Sequence, residues 1–549
     1  MMSWNTSTDC CNWNGVTCDY STGDVVGLDV SCGMLKGTIH PNSSLFNLPH
    51  LQRLNLAYNN LTEQIPREIG RFSNSLTHLN LSNCLFSGQV PSDITLLHKL
   101  VSLDLTSYSY DLKLRPLDFI NLFHNVTNLE QLSLENVEIS SVLPTSLNTS
   151  SSLKLLNLAQ TQLQGKLPHY IFNLHSLETL DLSGNTLPGD IPSVNLTHLT
   201  YMRLSYNSLN GTLPSWLFTS PSLEYLNLRN NMFSGNVPFE SFALPSLISV
   251  NLTHLTSLDL SSNKLNGTLP SWLFTFPSLE YLNLRNNMFS GNVPFESFAL
   301  PSLKELDLRS NQLAGHTGVQ TFRKLTNLTA LGLSYNNFSG EWELDTLLSS
   351  LTNLESLDLS YSGLSVTTKN ANHYVNPAFE HLGLASCKLK VFPNSFRAMK
   401  QLWYLDLSSN EIHGQIPHWV GEIGGNKLFY VNLSHNLITR LPQFQWYGLL
   451  DLYLQSNLIE GPFPTSICNM TTLKFLDMFN NRFGGLISQC FGKLTSSLRM
   501  IDLGNNSFQG SIPSSNNDCE SLEGTTSVNI TRASSLFNLL PISDKNTGN

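Results

Sequence analysis

The chain has 549 residues, a net charge of −10 and only 13% charged residues, about half the ~25% usual for soluble domains. That acidic balance excludes a nucleic-acid binder, which needs a basic face to neutralise phosphates, and no stretch approaches the ~18 apolar residues of a membrane span. The opening MMSWNTSTDCC also lacks the basic and apolar segments of a secretion signal, so the chain as written is expected to carry neither signal peptide nor anchor.

Residues 1–24 hold three cysteines within WNTSTDCCNWNGVTC (Trp4 to Cys18). From Val25 to Ser521 the frame LxxLxLxxN recurs, as in LTHLNLSNC (Leu76 to Cys84), LETLDLSGN (Leu177 to Asn185), LWYLDLSSN (Leu402 to Asn410) and LLDLYLQSN (Leu449 to Asn457). Twenty units fit it, mostly 24 residues long. A period of ~20 to 29 with this spacing is the leucine-rich repeat. The expected fold is a solenoid of the α/β repeat class, a right-handed curved superhelix with a concave parallel β-sheet. The alternating leucines point inward from a short strand and the intervening residues face out on the concave side. One coil cannot bury its leucines alone, so neighbours must stack. The terminal Asn can satisfy backbone groups that stacking would bury unpaired. Cys84 and Cys387 occupy that slot in two units and are expected as buried thiols. Tyr108, Val137 and Thr161 break the ladder in consecutive units, where irregular curvature is expected.

Further along, residues 193–247 and 249–303 are copies, 55 positions at an offset of 56 with six differences. Convergent packing would repeat only the leucines. Copying Arg229, Phe239 and Glu240 as well means recent tandem duplication, which suits a diversifying binding surface and equally an unequal crossover in a decaying gene or a faulty gene model. The offset is not a multiple of 24, so residues 247–254 are an eight-residue remainder, expected to bulge or to interrupt the strand stack. Residues 522–549 fail to supply the frame and are expected to be a non-repeat tail.

Many units continue past the Asn as LxGxIP or a near variant, such as FSGQVP (Phe86 to Pro91), LQGKLP (Leu163 to Pro168) and IHGQIP (Ile412 to Pro417). This resembles the plant-specific class of leucine-rich repeats, whose coils carry an extra short strand beside the concave sheet. Trp4 to Cys18 resembles the end of the plant N-terminal cap, and by that resemblance Cys11 and Cys18 form a disulfide, while Cys10 would pair with an upstream cysteine. A cytosolic metal site is the alternative for these cysteines, but no convincing His partner or second CxxC accompanies them, so no metal is expected. Longer stretches, GTIHPNSSLFNLPHLQRLNLAYN (Gly37 to Asn59), LGLASCKLKVFP (Leu382 to Pro393), LDLSSNEIHGQIPHW (Leu405 to Trp419) and GPFPTSICNMTTLKFLDM (Gly461 to Met478), resemble the ectodomain of plant receptor-like proteins of the tomato Cf resistance type. The resemblance implies an extracellular recognition solenoid at the cell membrane that senses peptide, protein or glycan ligands, often from pathogens, and signals through partner receptor kinases. Relative to that family the chain as written is expected to lack the signal peptide, capping helix, later repeats and membrane helix. A secreted inhibitor resembling polygalacturonase-inhibiting proteins is the alternative, disfavoured by the number of coils; a non-functional gene fragment is another.

Catalytic motifs are missing: no HExxH, GxSxG, P-loop or kinase set occurs. Neither an enzyme nor a cofactor is expected. Asp104, Asp181, Asp259, Asp307, Asp358, Asp406, Asp477 and Asp502 share one strand position and are expected as solvated strand faces. Binding must then come from the concave positions. One group there comprises Tyr201, Arg203, Tyr206, Tyr225, Arg229, Tyr281, Arg285, Arg309 and Tyr335, residue types that dominate interface hot spots. Its arginines suit an acidic or polar ligand, unless Arg229 and Arg285 pair with Glu224, Glu280 or Glu305. A second group comprises Trp403, Tyr404, Phe429, Tyr430, Tyr453, Phe475 and Phe479, interrupted by a sequon at Asn432. Sixteen Asn-x-Ser/Thr sequons occur, among them Asn42, Asn60, Asn125, Asn148, Asn195, Asn266, Asn327, Asn337 and Asn469, which point to a secretory route.

Overall fold

The structure, a computed structural model, describes residues 4, 7–144, 152–193, 198–238, 254–370, 374–487, 494 and 497–509. The expected remainder at 247–254, except His254, and the expected tail at 522–549 lie outside them. The chain divides into two compact units, Met1–Gly315 and His316–Asn549.

In the first unit the strand Val16–Cys18 pairs antiparallel with Val25–Asp29. From there a parallel ladder runs through Arg53–Asn55, His78–Asn80, Ser102–Asp104, Gln131–Ser133, Leu155–Asn157 and Thr179–Asp181. It continues through Tyr201–Arg203, Tyr225–Asn227, Ser257–Asp259, Tyr281–Asn283 and Glu305–Asp307. The second unit repeats the arrangement from Ala330–Gly332 to Met500–Asp502. Each central residue is buried against its counterparts, as Leu79, Leu226, Leu282, Leu405 and Leu476 illustrate. This is the leucine-rich-repeat solenoid that the spacing predicts, and the extra strand is present as well. Ser208–Gly211, Met232–Asn236, Lys264–Gly267 and Met288–Asn292 pair in sequence beside the main sheet.

The glycine and proline of LxGxIP have separate tasks. Gly291 sits at φ 78°, where a Cβ would lie 2.8 Å from Thr268 Cγ2, so a side chain there meets both backbone strain and a clash. Pro91 precedes the short 3-10 helix Ser92–Leu96 in an extended conformation, using its fixed φ and missing N–H to start the outer turn. That outer side buries Ile94 here and Phe119, Leu122 and Phe123 in the longer helix Pro116–Asn125.

The terminal asparagine does what stacking demands of it. Asn185 Nδ2 donates to the carbonyls of Leu158, Leu182 and Ser183 at 2.8, 3.0 and 3.3 Å, and its Oδ1 accepts from the amides of Thr161 and Leu163 at 3.1 and 2.8 Å. One side chain thus pairs five backbone groups in two successive coils, each of which would cost ~1–3 kcal/mol if buried unsatisfied. Cys84 and Cys387 fill the same slot as buried thiols, their sulfurs donating to Leu56 and Leu359 carbonyls at 3.1 and 3.4 Å. Burial pushes both thiols above their ordinary pKa.

Where the sequence breaks the ladder, the strands stay in register and neighbouring groups take over the lost donor. Thr161 Oγ1 donates to Leu158 at 2.8 Å, and Asn136, one residue before the apolar Val137, donates to Ser107 at 2.9 Å. The irregularity therefore falls on the amide ladder and leaves the sheet paired. The duplication behaves alike: Tyr225 pairs with Ser257 and Asn227 with Asp259. Partners here are 32 positions apart rather than 24, yet the strand stack is not interrupted, which corrects that half of the expectation for 247–254. Hydrogen bonding between the strands outweighs the length of chain that joins them.

Candidate ligand-recognition face

Parallel register places equivalent concave residues side by side, so the face can be read as columns. In the first unit one column holds Tyr201, Tyr225, Ser257, Tyr281 and Glu305. Tyr201 and Tyr225 stack at 4.3 Å between ring centroids, 6° from parallel. The hydroxyls of Tyr225 and Tyr281 accept from Asn227 and Asn283 Nδ2 on their own strands, at 3.2 and 2.9 Å. Burial pushes the phenols of Tyr201 and Tyr281 up to about 12, so both remain neutral donors at any ordinary pH.

The arginines separate into two kinds. Arg203 lies 3.5 Å from Asp181 on the adjacent strand, and Arg309 pairs with Asp307 two residues away at 2.6 Å. Their charge is largely answered from within. Arg229 is exposed and rests over the Tyr206 ring at 5.5 Å. Arg285 is exposed, and neither it nor Arg229 has an ion pair among the described residues. The pairing with Glu224, Glu280 or Glu305 is not observed; Glu280 meets Lys304 instead, at 2.6 Å. Tyr335, grouped with these residues in the sequence, belongs to the second unit, where it stacks on Tyr361 at 5.3 Å.

The second unit carries a longer aromatic column. His381, Tyr404 and Tyr430 stack at 4.4 and 4.5 Å, within 7° of parallel; Asp451 takes the next place in the column, and Tyr453, in the adjacent column, meets Tyr430 tilted at 5.6 Å. Trp403 and Phe429 form a parallel pair at 4.9 Å. Phe475 follows Asp451 in the column of Tyr430, and Phe479 is exposed nearby in sequence. His381 and Tyr361 were missed by sequence reasoning, although the column position of His381 was available from the frame.

The aspartate row needs correction. Asp259 and Asp406 are substantially buried, and burial first of all pushes both carboxyls above the usual range. The row has a backbone cause: each carboxylate accepts the amide two residues on, as Asp181 does from Ser183 at 2.9 Å and Asp502 from Gly504 at 2.8 Å. Asn227 accepts from Arg229 in the same way at 3.1 Å. The alternation of Asp with Asn was the signal, since both side chains offer that acceptor.

At the N-terminus Cys11 and Cys18 are disulfide-bonded, as the cap resemblance implies. Cys10 lies beside them, and the three sulfurs are within 4.8 Å of one another, but two of them are consumed by the bond. Cys468 is disulfide-bonded too, which the sequence did not indicate. Of the sequon candidates, Asn148 and Asn195 lie outside the described residues. Asn42, Asn60, Asn125, Asn337 and Asn469 are exposed, and Asn266 is half-buried.

Two leucine-rich-repeat models match, over residues 127–187, 243–289 and 253–313 and over 50–72, 75–97, 198–219, 222–244, 401–423, 472–494 and 497–519. A leucine-rich-repeat N-terminal domain model matches residues 1–19. The chain is 36% identical to Receptor-like protein 6 of Arabidopsis thaliana across 93% of its length and 58% of the relative's. The chain belongs to the plant leucine-rich-repeat receptor-like proteins. It is 41% identical to Receptor-like protein Cf-9 of Solanum pimpinellifolium over 27% of this chain and 17% of that one. It spans about half the length of the long curated relatives it matches. Among solved structures it resembles the Arabidopsis receptor kinase HAESA, crystallised with the peptide hormone IDA and the co-receptor SERK1, at 27% identity and TM-score 0.69, covering 93% of this chain and 91% of that one. The PEPR1–AtPEP1 complex matches at 27% identity and TM-score 0.64, covering 93% and 76%. Among the described residues no helix is long and apolar enough to cross a membrane.

Proposed function

We propose that this receptor-like protein is an extracellular recognition module at the plant cell membrane, binding a peptide, protein or glycan ligand and acting with partner receptor kinases in immune perception. The reading is one of binding rather than catalysis. We place the ligand surface on the first unit's concave strip, Tyr201, Arg203, Tyr206, Tyr225, Arg229, Tyr281, Arg285 and Arg309, leaving Tyr335 to the second unit. The observation that carries this is the pair Arg229 and Arg285, exposed on one sheet without an ion pair while Arg203 and Arg309 are neutralised by aspartates. They stand two ladder spacings apart, on the order of 10 Å, and suit two anionic groups on an extended ligand. Relatives named as receptor-like proteins, and a similar receptor kinase solved with a peptide hormone, support the ligand class.

An oligo-glutamate peptide titrated into the secreted chain by calorimetry tests it. Binding should fall by ~2 kcal/mol or more in the Arg229→Ala/Arg285→Ala variant, with folding changed by less than ~0.5 kcal/mol. Unchanged binding in that variant, with loss on Tyr430→Ala, would move the site to the aromatic column.

A further inference from the structure

The pentapeptide Tyr-Asn-Asn-apolar-Ser/Thr occurs once in each unit, as Tyr58 to Thr62 and as Tyr335 to Ser339. In both, the central Asn is the ladder amide: Asn59 donates to Leu56 at 2.9 Å and Asn336 to Leu333 at 3.1 Å. The tyrosine before it adopts left-handed backbone, φ 56° for Tyr58 and 53° for Tyr335, a conformation uncommon for a bulky side chain. Each ring is left exposed, at 55% and 57%. The Asn after it opens a strand of the second sheet, Asn60–Glu63 or Asn337–Ser339. Strand alternation buries Leu61 and Phe338 and turns Asn60 and Asn337 to solvent.

These two asparagines also differ from sequons at strand centres. Asn80 and Asn432 have their Oδ1 engaged by the amides of Ser82 and Ser434, at 2.9 and 3.1 Å. Among the described residues, Asn60 and Asn337 make no side-chain hydrogen bond. Asn60 and Tyr58 moreover line one recess of about 330 Å3, shared with Met34, Leu85 and Tyr108. Tyr108 meets Tyr58 edge to face at 6.5 Å. Four large apolar side chains thus surround a sequon and stay open to water, an arrangement that usually marks a surface with an occupant.

We propose that N-glycans on Asn60 and Asn337 fold back over Tyr58 and Tyr335, whose exposed rings are stacking platforms for the first N-acetylglucosamine. The tyrosine stands two residues before the acceptor in both motifs, its own left-handed backbone turns the chain there, and at the first motif ring and acceptor line one recess. The C–H face of the sugar covers aromatic surface, as apolar groups do on rings elsewhere, and its polar edge stays in water. Attachment requires an N-acetylglucosamine-terminated oligosaccharide on a polyprenyl pyrophosphate. A bond forms between Asn Nδ2 and sugar C1, the C1–O bond to pyrophosphate breaks with its electron pair on the leaving group, and the amide loses one proton. The inference rests on the secretory route of the proposed function, but not on any ligand.

The test uses the full chain secreted from a eukaryotic host behind a supplied signal peptide. Glycopeptide mass spectrometry should find Asn60 and Asn337 occupied. Tyr58→Asn removes the ring yet tolerates left-handed backbone; it should lower the Tm of the glycosylated protein and leave that of the Thr62→Ala protein unchanged. Tyr58→Phe should restore the loss. A bare Asn60 on a protein glycosylated elsewhere overturns the proposal, and so does an equal Tm loss with and without the Asn60 sequon. Loss of oligo-glutamate binding alone would count against the ligand face and not against this platform.

Discussion

In the first unit the central concave column mixes rings with polar groups, and its arginines either meet an aspartate, as Arg203 and Arg309 do, or are exposed without an ion pair among the described residues, as Arg229 and Arg285 are. In the second unit the corresponding column stacks His381, Tyr404 and Tyr430 and continues with Asp451 and Phe475, and among the described residues Asp406, Asp451 and Asp477 make no ion pair. Backbone, leucines and amide ladder are the same in both. The difference shows that the coil constrains only what faces inward or closes the turn, and leaves the strand's outward positions free to carry chemistry. One face suits anions and the other is aromatic and acidic, on a common support.

The largest effect should come from the support and should not distinguish the units. Asn185→Ala in the first and Asn410→Ala in the second each strand several buried backbone groups. Both should cost ~3 kcal/mol or more, read by hydrogen exchange in the flanking strands; a large cost in one unit alone would break the comparison. Next, Tyr430→Ala removes contacts with both Tyr404 and Tyr453, whereas Tyr201→Ala removes one stack. At ~0.5–1.5 kcal/mol per aromatic pair beyond area burial, denaturant melts should find the first substitution about twice as costly in pairing. Smaller still is Arg203→Ala, which opens a partly exposed ion pair worth ~0.2–1 kcal/mol. A larger loss would mean that Arg203 supports the strip in a way that its distance to Asp181 does not reveal.

Acidity sharpens the contrast in a different way. Burial raises the carboxyls of Asp406, Asp451 and Asp477. Between each unfolded and folded pKa the native unit holds more protons than the unfolded chain, so stability falls as pH rises through that window and returns on acidification. Glu343 has the opposite sign: hydrogen bonds from Thr346, Asp345 and Lys369 outweigh burial and hold it low, so its contribution is lost as pH falls. Local stability of the second unit, followed by exchange across a pH series, should therefore pass through a maximum on the acid side of neutrality. Asp406→Asn should flatten the fall toward neutral pH.

Much of this architecture was legible because it depends on short-range repetition. The leucine frame announced the ladder, while the second strand and the bond between Cys11 and Cys18 came from the resemblance of LxGxIP and of Trp4 to Cys18 to the plant class. What stayed hidden depends on which neighbours the register brings together. Arg203 lies within its strand with Asp181 opposite, whereas Arg285 lies two residues past the strand Tyr281–Asn283, and the frame alone names no partner for either. Asp406 looked solvated because its strand position faces outward, yet it is largely buried, with Tyr404 on its own strand and Tyr430 on the next within electrostatic reach. Tyr335 was grouped by residue type with residues of the other compact unit, a division that no local pattern marks.

The pairing of Tyr225 with Ser257 across 32 positions has an evolutionary consequence. Recombination between repeats need not cut at coil boundaries, because a surplus of eight residues leaves the next strand free to find its rung. Unequal exchange in such a gene therefore samples new orders of outward-facing residues at little structural risk, and the breakpoint is recorded in the connection rather than in the sheet. A protein that must keep changing what it recognises is served by an architecture that counts strands and not residues.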